Sequence, residues 1–188
     1  MHRDHGALVN IRAAYEASLS REGHVEDPAQ LEIIARFEAL QERLLAEPVK
    51  KGGLRALLRG SRGKWHAVKG LYIWGGVGRG KTFLMDLFFE ALPIDARKRI
   101  HFHRMMQDVH GRLNALRDRE DPLDIVAADI AAHTRVLCFD EFFVSDIGDA
   151  MLLARLLEGL FDRGVTLVAT SNSRPDQLYN CLLYTSPS

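Results

Sequence analysis

The segment "GLYIWGGVGRGKTFLMDLFFEAL", residues 70–92, constrains the fold more than any other stretch of the chain. It reads as a short apolar strand, then a turn holding Gly75, Gly76, Gly78 and Gly80, then a run with apolar residues at helical spacing. Gly75, Gly80, Lys81 and Thr82 fit the pattern G-x-x-x-x-G-K-[ST], with Gly76, Val77, Gly78 and Arg79 as the intervening loop. Glycines let successive backbone N–H groups turn inward onto phosphate oxygens, and the helix that follows offers its positive end. Lys81 is placed to reach the β- and γ-phosphates, and Thr82 to ligate Mg²⁺. A strand before the loop and a helix after it are what this cradle requires.

The remaining chain extends the same alternation. "RIHFH", "RVLCF" and "VTLVATSN" read as further strands, and "MMQDVHGRLNALRD", "DPLDIVAADIAAH" and "DIGDAMLLARLLEGLFDR" as the helices between them, the last closed by Gly164. Strands separated by helices predict an α/β parallel sheet of the P-loop NTPase kind, flanked by helices. Upstream, "EDPAQLEIIARFEALQERLLAEP" carries strong helix signals: Asp27 suits the N-cap, Pro28 the first helical position and Gln30 the third position of a capping box. Leu31, Ile34, Phe37, Leu40 and Leu44 form one apolar stripe, for which a helix around Ile11 to Leu19 is the expected partner. The resulting division is a helical N-terminal region over 1–49, a basic glycine-rich linker over 50–68 and a P-loop core over 69–180, with 181–188 set apart below. The linker is expected to contain about one helical turn.

Bulk composition narrows the function. The 188 residues include 25 Lys plus Arg and 25 Asp plus Glu, so no global field draws the chain to nucleic acid or anionic lipid. No uncharged apolar run approaches the roughly 18 residues of a membrane span, and "MHRDHGALVN" lacks a signal-peptide core, which predicts a cytoplasmic protein. Two cysteines, Cys138 and Cys181, exclude a disulfide framework and a zinc quartet, and Cys138 reads as a small core residue. The basic stretch Lys50 to Lys64 has few aromatics for base stacking and reads as a solvated linker, while Trp65 and Trp74 read as packing residues.

Two further elements complete a reaction site. Asp140 follows the apolar strand "RVLCF", where a carboxylate emerges at the strand's carboxyl end to hold the Mg²⁺ water shell. Glu141 stands beside it. A second carboxylate there works against stability by like-charge repulsion but suits a base that polarises an attacking water, the mark of a hydrolase more than of a small-molecule kinase. Asn172, ending "LVATSN", is placed to hydrogen-bond that water or the γ-phosphate. His101 and His103, two apart on one strand face, and His110 lack the partners of a metal site and read as packing or polar contacts. Phe142, Phe143 and Val144 read as a mixture of core and subunit-facing wall.

"KGLYIWGGVGRGKTFLMDLFFEALP", "RIHFHRMMQDVHGRL", "LCFDEFFVSDIGDAMLLARLLEGLF" and "GVTLVATSNSRPDQLY" together closely resemble the ZapE cell-division ATPase family, whose mitochondrial relatives are the AFG1-like ATPases. The resemblance covers most of Lys69 to Tyr179. It implies an AAA+-type ATPase domain with the Asn172 strand lying between the phosphate-loop strand and the Asp140–Glu141 strand. It implies ATP and Mg²⁺ as ligands and ATP-driven action on other proteins, with the tubulin-like division protein FtsZ as bacterial partner at the septum. By position, Lys81 and Thr82 match the family's phosphate-loop pair, Asp140 and Glu141 its metal and water pair, and Asn172 its first sensor.

After Asn180 the chain departs from the family pattern, which continues with "NGLQR", a further strand and a helical lid. The tail "CLLYTSPS" is expected to be non-native and the full protein longer, a homo-oligomer with an arginine finger in the missing block. This chain is then expected to bind ATP better than it hydrolyses it. The alternatives are an AAA+-type loader or remodeller of nucleic acid, a P-loop kinase, and a nucleotide-binding fragment without turnover. The identity of the protein acted on and the roles of His101, His103 and Arg104 stay open at this point.

Overall fold

A computed structural model describes residues 10–22, 25–47, 65–144 and 146–176. The basic stretch Lys50 to Lys64 and the tail 181–188 lie outside the described residues. The elements are α1 (Ile11–Glu22), α2 (Pro28–Ala46), β1 (Leu71–Trp74), α3 (Lys81–Ala91), β2 (Arg97–His101), α4 (Phe102–Ala115), α5 (Pro122–His133), β3 (Val136–Asp140), α6 (Ile147–Asp162) and β4 (Thr166–Ser171). The four strands form one parallel sheet in the order β1-β4-β3-β2. The strand bearing Asn172 at its end therefore lies between the phosphate-loop strand and the Asp140 strand, as the resemblance implied.

Period-two alternation divides the strands between two apolar clusters. Leu137, Phe139 and Ala169 face α4, α5 and α6, where Met105, Val109, Val126, Ile130, Leu153 and Leu156 fill the space. Ile73, Val136, Cys138 and Val168 face the other way, onto Leu84, Met85 and Phe88 of α3. Both faces are covered, which is why the central β3 is apolar up to Asp140 and buried along its whole length. Arg163 ties α5 to the end of α6 through Nη2, which donates to both carboxylate oxygens of Asp124, at 2.7 and 2.8 Å. Gly164, at φ +82°, takes the left-handed conformation that closes α6.

The N-terminal helices belong to the second cluster. Ile11 and Tyr15 of α1 and Ile34, Phe37, Leu40 and Leu44 of α2 are fully buried with the α3 residues, and Phe37 stacks on Phe88 at 4.6 Å. Polar links reinforce this seam: Gln41 donates to the Ala91 carbonyl at 2.8 Å, and buried Arg135 donates to the Leu44 and Glu47 carbonyls that end α2. Asp27 caps α2 by accepting from Ala29 N, as its position predicts. Gln30 does not close a capping box. The Tyr15 hydroxyl accepts from Asp27 N at 3.3 Å, and Gln30 is turned away to accept from that hydroxyl at 2.9 Å.

The second strand is displaced from its expected span. It covers Arg97–His101, and α4 begins at Phe102, so His101 and His103 do not share a strand face. Helix pattern wins at Phe102 because Phe102, Met105, Met106 and Val109 form one buried stripe. Arginines populate the strand because their heads are satisfied locally: Arg97 donates to the Leu92 and Ile94 carbonyls and lies over Phe89. Trp74, read as a packing residue, is about half exposed with Arg174 over its ring, whereas Trp65 is partly buried against Arg135.

Two expectations follow. Phe37→Ala removes a stacked, fully buried ring and should cost about 3–5 kcal/mol in urea unfolding, and a loss below about 1 kcal/mol would show that α1 and α2 do not share the sheet's cooperative unit. Cys138 is fully buried, and burial pushes its thiol up to about 12, so in a Cys181→Ser chain it should react with a thiol reagent only on unfolding.

Candidate active site

Parallel strands bring all four carboxyl ends to one edge of the sheet, and the turns leaving them carry the residues singled out from the sequence. The loop 75–80 leaves β1 and enters α3 through Gly80. Gly78 and Gly80 have φ of +79° and +73°, a region closed to most side chains. Space is short at Gly80 as well, where a Cβ would stand 2.8 Å from Gln30 Nε2. The Lys81 ammonium donates to the Gly75 and Gly76 carbonyls at 2.8 and 2.7 Å, curling over the loop it serves. Desolvation lowers its pKa from the ordinary lysine value. Thr82 is exposed on the first turn of α3.

Asp140 and Glu141 are adjacent in sequence and opposite in environment. The Asp140 side chain is 7% exposed and points to the α3 face of the sheet, two positions beyond the Arg99–Cys138 pair of the β2–β3 register. Arg99 Nε donates to Asp140 Oδ2 at 2.7 Å, and the same guanidinium pairs with Asp86 of α3. Asp140 Oδ1 is buried and has no hydrogen-bond partner among the described residues. Glu141 is exposed and has a φ of +53°, a rare conformation for a residue with a Cβ.

Asn172 is exposed just beyond β4. It lines, with Glu141, a cavity of about 430 Å³ whose walls include Phe102, His103, Met106 and Phe143. The phosphate loop is not part of that lining; it stands at the neighbouring strand end. Ser171 joins the turns. Its carbonyl accepts from Gly75 N at 3.3 Å, and its hydroxyl donates to the Phe142 carbonyl at 2.6 Å while accepting from Ser173 N at 3.0 Å. Phe142 N in turn donates to the Thr170 carbonyl at 2.7 Å. Phe142 is buried, Phe143 is 60% exposed and Val144 lies between them, which is the mixture the sequence implied.

Sequence reasoning passed over Asp86, Arg99 and Ser171, which shape this site, and read Gln30 only as a capping-box residue. Gln30 Nε2 donates to the Arg79 carbonyl at 3.3 Å, so the α2 terminus touches the phosphate loop. Asp86 had a legible signal, since it lies four residues after Thr82 on the same helical face. Arg99 had none, because its contact with Asp140 depends on a β2–β3 register that the sequence does not print. Ser171 is a small polar residue in a buried strand, a pattern that marks a hydrogen-bonding role without naming the partner.

Comparison with known proteins agrees with this architecture. The family model described as AFG1-like ATPase matches residues 9–186. "Cell division protein ZapE" of Escherichia coli (strain K12) is 50% identical over 179 residues, covering 91% of this chain and 48% of that protein. "Lactation elevated protein 1 homolog B" of Danio rerio is 47% identical over 127 residues, 62% of this chain and 25% of that protein. The chain thus spans about half the length, or less, of these curated relatives. Among solved structures, DnaI matches with a TM-score of 0.56 at 20% identity, over 85% of this chain and 74% of that one. AMPPCP-bound DnaA from Aquifex aeolicus matches with a TM-score of 0.54 at 14% identity, over 84% of this chain and 43% of that one. These two likenesses are of fold: a parallel sheet flanked by helices. The match of the family model along nearly the whole chain, on a sheet that presents the phosphate loop beside Asp140 and Glu141, settles the assignment: this chain belongs to the AFG1-like ATPase family.

Proposed function

We propose that the chain is the nucleotide-hydrolysing core of an ATPase whose cycle acts on a protein partner in bacterial cell division. The observation that carries the reading is the pairing of a phosphate loop with a buried Asp140 and an outward-turned Glu141 at strand ends joined through Ser171. Gly75, Gly76, Val77, Gly78, Arg79 and Gly80 would present backbone N–H groups to the phosphates of ATP, with Lys81 on the β- and γ-oxygens. Asp140 Oδ1, a buried acceptor without a protein partner, and the exposed Thr82 hydroxyl are oxygen donors of the type Mg²⁺ takes, so these two residues would hold it. Bound there, Mg²⁺ supplies charge neutralisation on the transferred phosphoryl group.

Glu141 orients the attacking water and accepts its proton, and Asn172, facing the same cavity, fixes that water or a γ-phosphate oxygen. The partner reading rests on the 50% identity to a protein named for cell division and points to a division protein of the FtsZ type, met in the cytoplasm at the septum. The full-length protein acts as a homo-oligomer without nucleic acid, and the present chain, spanning about half of that relative, turns over slowly by itself.

Glu141→Gln should leave binding of a fluorescent ATP analogue intact while lowering phosphate release by roughly 10²–10⁴-fold, and undiminished turnover would remove Glu141 as the base. Lys81→Ala should instead weaken nucleotide binding by roughly 10–100-fold, the loss of hydrogen bonds from a charged donor worth about 1.5–3 kcal/mol. Unchanged binding would mean that Lys81 keeps its loop carbonyls in the complex.

A further inference from the structure

Among the described residues, Arg163–Asp124 and Arg99–Asp140 are partly buried arginine–carboxylate pairs of different design. Arg163 Nη2 donates to both oxygens of Asp124, at 2.7 and 2.8 Å, a closed arrangement in which each carboxylate oxygen has a donor. Arg99 does not close on Asp140 in this way. It engages Oδ2 alone, gives its other arm to Asp86 on α3, and leaves Oδ1 buried without a partner among the described residues. A buried acceptor left unsatisfied is destabilising, so stability alone favours the closed form. The open form spares one oxygen for a further ligand and holds it still.

Position explains what that ligand is. Asp86 lies one helical turn after Thr82 on the same face of α3, and Arg99 spans from Asp86 to Asp140 across the β2–β3 register. The ion triad therefore ties the helix that carries Thr82 to the strand that carries Asp140. We infer that Arg99 is a positioning residue for the divalent cation of the nucleotide: it orients Asp140 and clamps β3 to α3 so that Oδ1 and the Thr82 hydroxyl face one another. This rests on the Mg-ATP reading above and adds a residue that reading does not use.

Charge and orientation predict opposite signs here. As a bare cation, Arg99 repels Mg²⁺, and its removal would tighten metal binding. As a positioning group shared between two carboxylates, it is nearly cancelled by Asp86, and its removal frees Asp140 to swing from the site while Asp86 and Asp140 repel one another. Orientation dominates because only the fork of arginine reaches both acids at once.

The test is a titration of a fluorescent ATP analogue in EDTA, followed by a Mg²⁺ titration of the same complex, on wild type, Arg99→Met, Arg99→Lys and Asp86→Asn in a Cys181→Ser background. Protection of the Cys138 thiol, which pairs with Arg99 in register, reports whether β2 and β3 stay docked. Arg99→Met should keep Cys138 protected and the metal-free affinity unchanged while raising the half-saturating Mg²⁺ concentration about 10–100-fold, the usual effect of losing a group that orients a metal ligand. Arg99→Lys should fall between, and Asp86→Asn should shift the midpoint the same way by less. A midpoint unchanged or lowered in a protected Arg99→Met chain overturns the inference, as does Arg99→Lys behaving as wild type. If Arg99→Met exposes Cys138, Asp86→Asn decides: an unshifted midpoint overturns it. Nucleotide binding by wild type that ignores Mg²⁺ would overturn the Mg-ATP reading and this inference together.

Discussion

Three functional turns of this molecule are held at one edge by a single buried serine. Ser171 ends β4, and its carbonyl and hydroxyl bond to the start of the phosphate loop and to the residue after Glu141. A hydroxyl can donate and accept at once, which an alanine or valine at this strand position cannot. Tyr72 adds a brace by donating to the Ser173 carbonyl at 2.8 Å. The parallel sheet supplies coarse alignment, and these few bonds set the fine spacing between the turns that carry Gly75, Glu141 and Asn172.

The face that carries α3 has a second consequence. α1 and α2 are part of the apolar cluster beneath the phosphate-loop helix, and Gln30 carries that packing to the Arg79 carbonyl. The N-terminal helices thus bear on the cradle's shape through contacts continuous from Tyr15 to Gly80. Arginines are used in the same inward manner. Arg97, Arg99, Arg135 and Arg163 spend their donors on carbonyls and carboxylates of the fold, which leaves them little part in an outward electrostatic field.

Much of this was legible in the sequence, for reasons that differ by element. The order of strands and helices followed from apolar periodicity, and the phosphate loop from glycines whose positive φ has no cheaper solution. The second strand was misplaced because alternation in "RIHFH" imitates a strand throughout, while only its first three residues belong to one and its Phe102 belongs to a helical stripe. Asp27 was readable as a cap because the interaction is local. Gln30 was misread because its partners, Tyr15 and Arg79, are brought to it by tertiary packing. Arg99 and Ser171 share that lesson: a residue whose role is to join two strands carries no mark in its own neighbourhood.

The contrast between Asp140 and Glu141 shows how one dipeptide provides two chemistries. Asp140 is the last residue of a fully buried strand, so its side chain is fixed by Arg99 and faces α3. Continuing the strand by one residue in extended conformation would send Glu141 into the opposite apolar cluster, where Phe139 and Phe142 already pack together. Instead the backbone enters the left-handed region at Glu141, at a cost of about 1–3 kcal/mol, and the bond from Phe142 N to the Thr170 carbonyl holds it there. That turn swings the carboxylate outward to the cavity shared with Asn172 and seats Phe142 in the core behind it. The strain at Glu141 is therefore the geometric condition for placing a buried, oriented acid and an exposed one side by side.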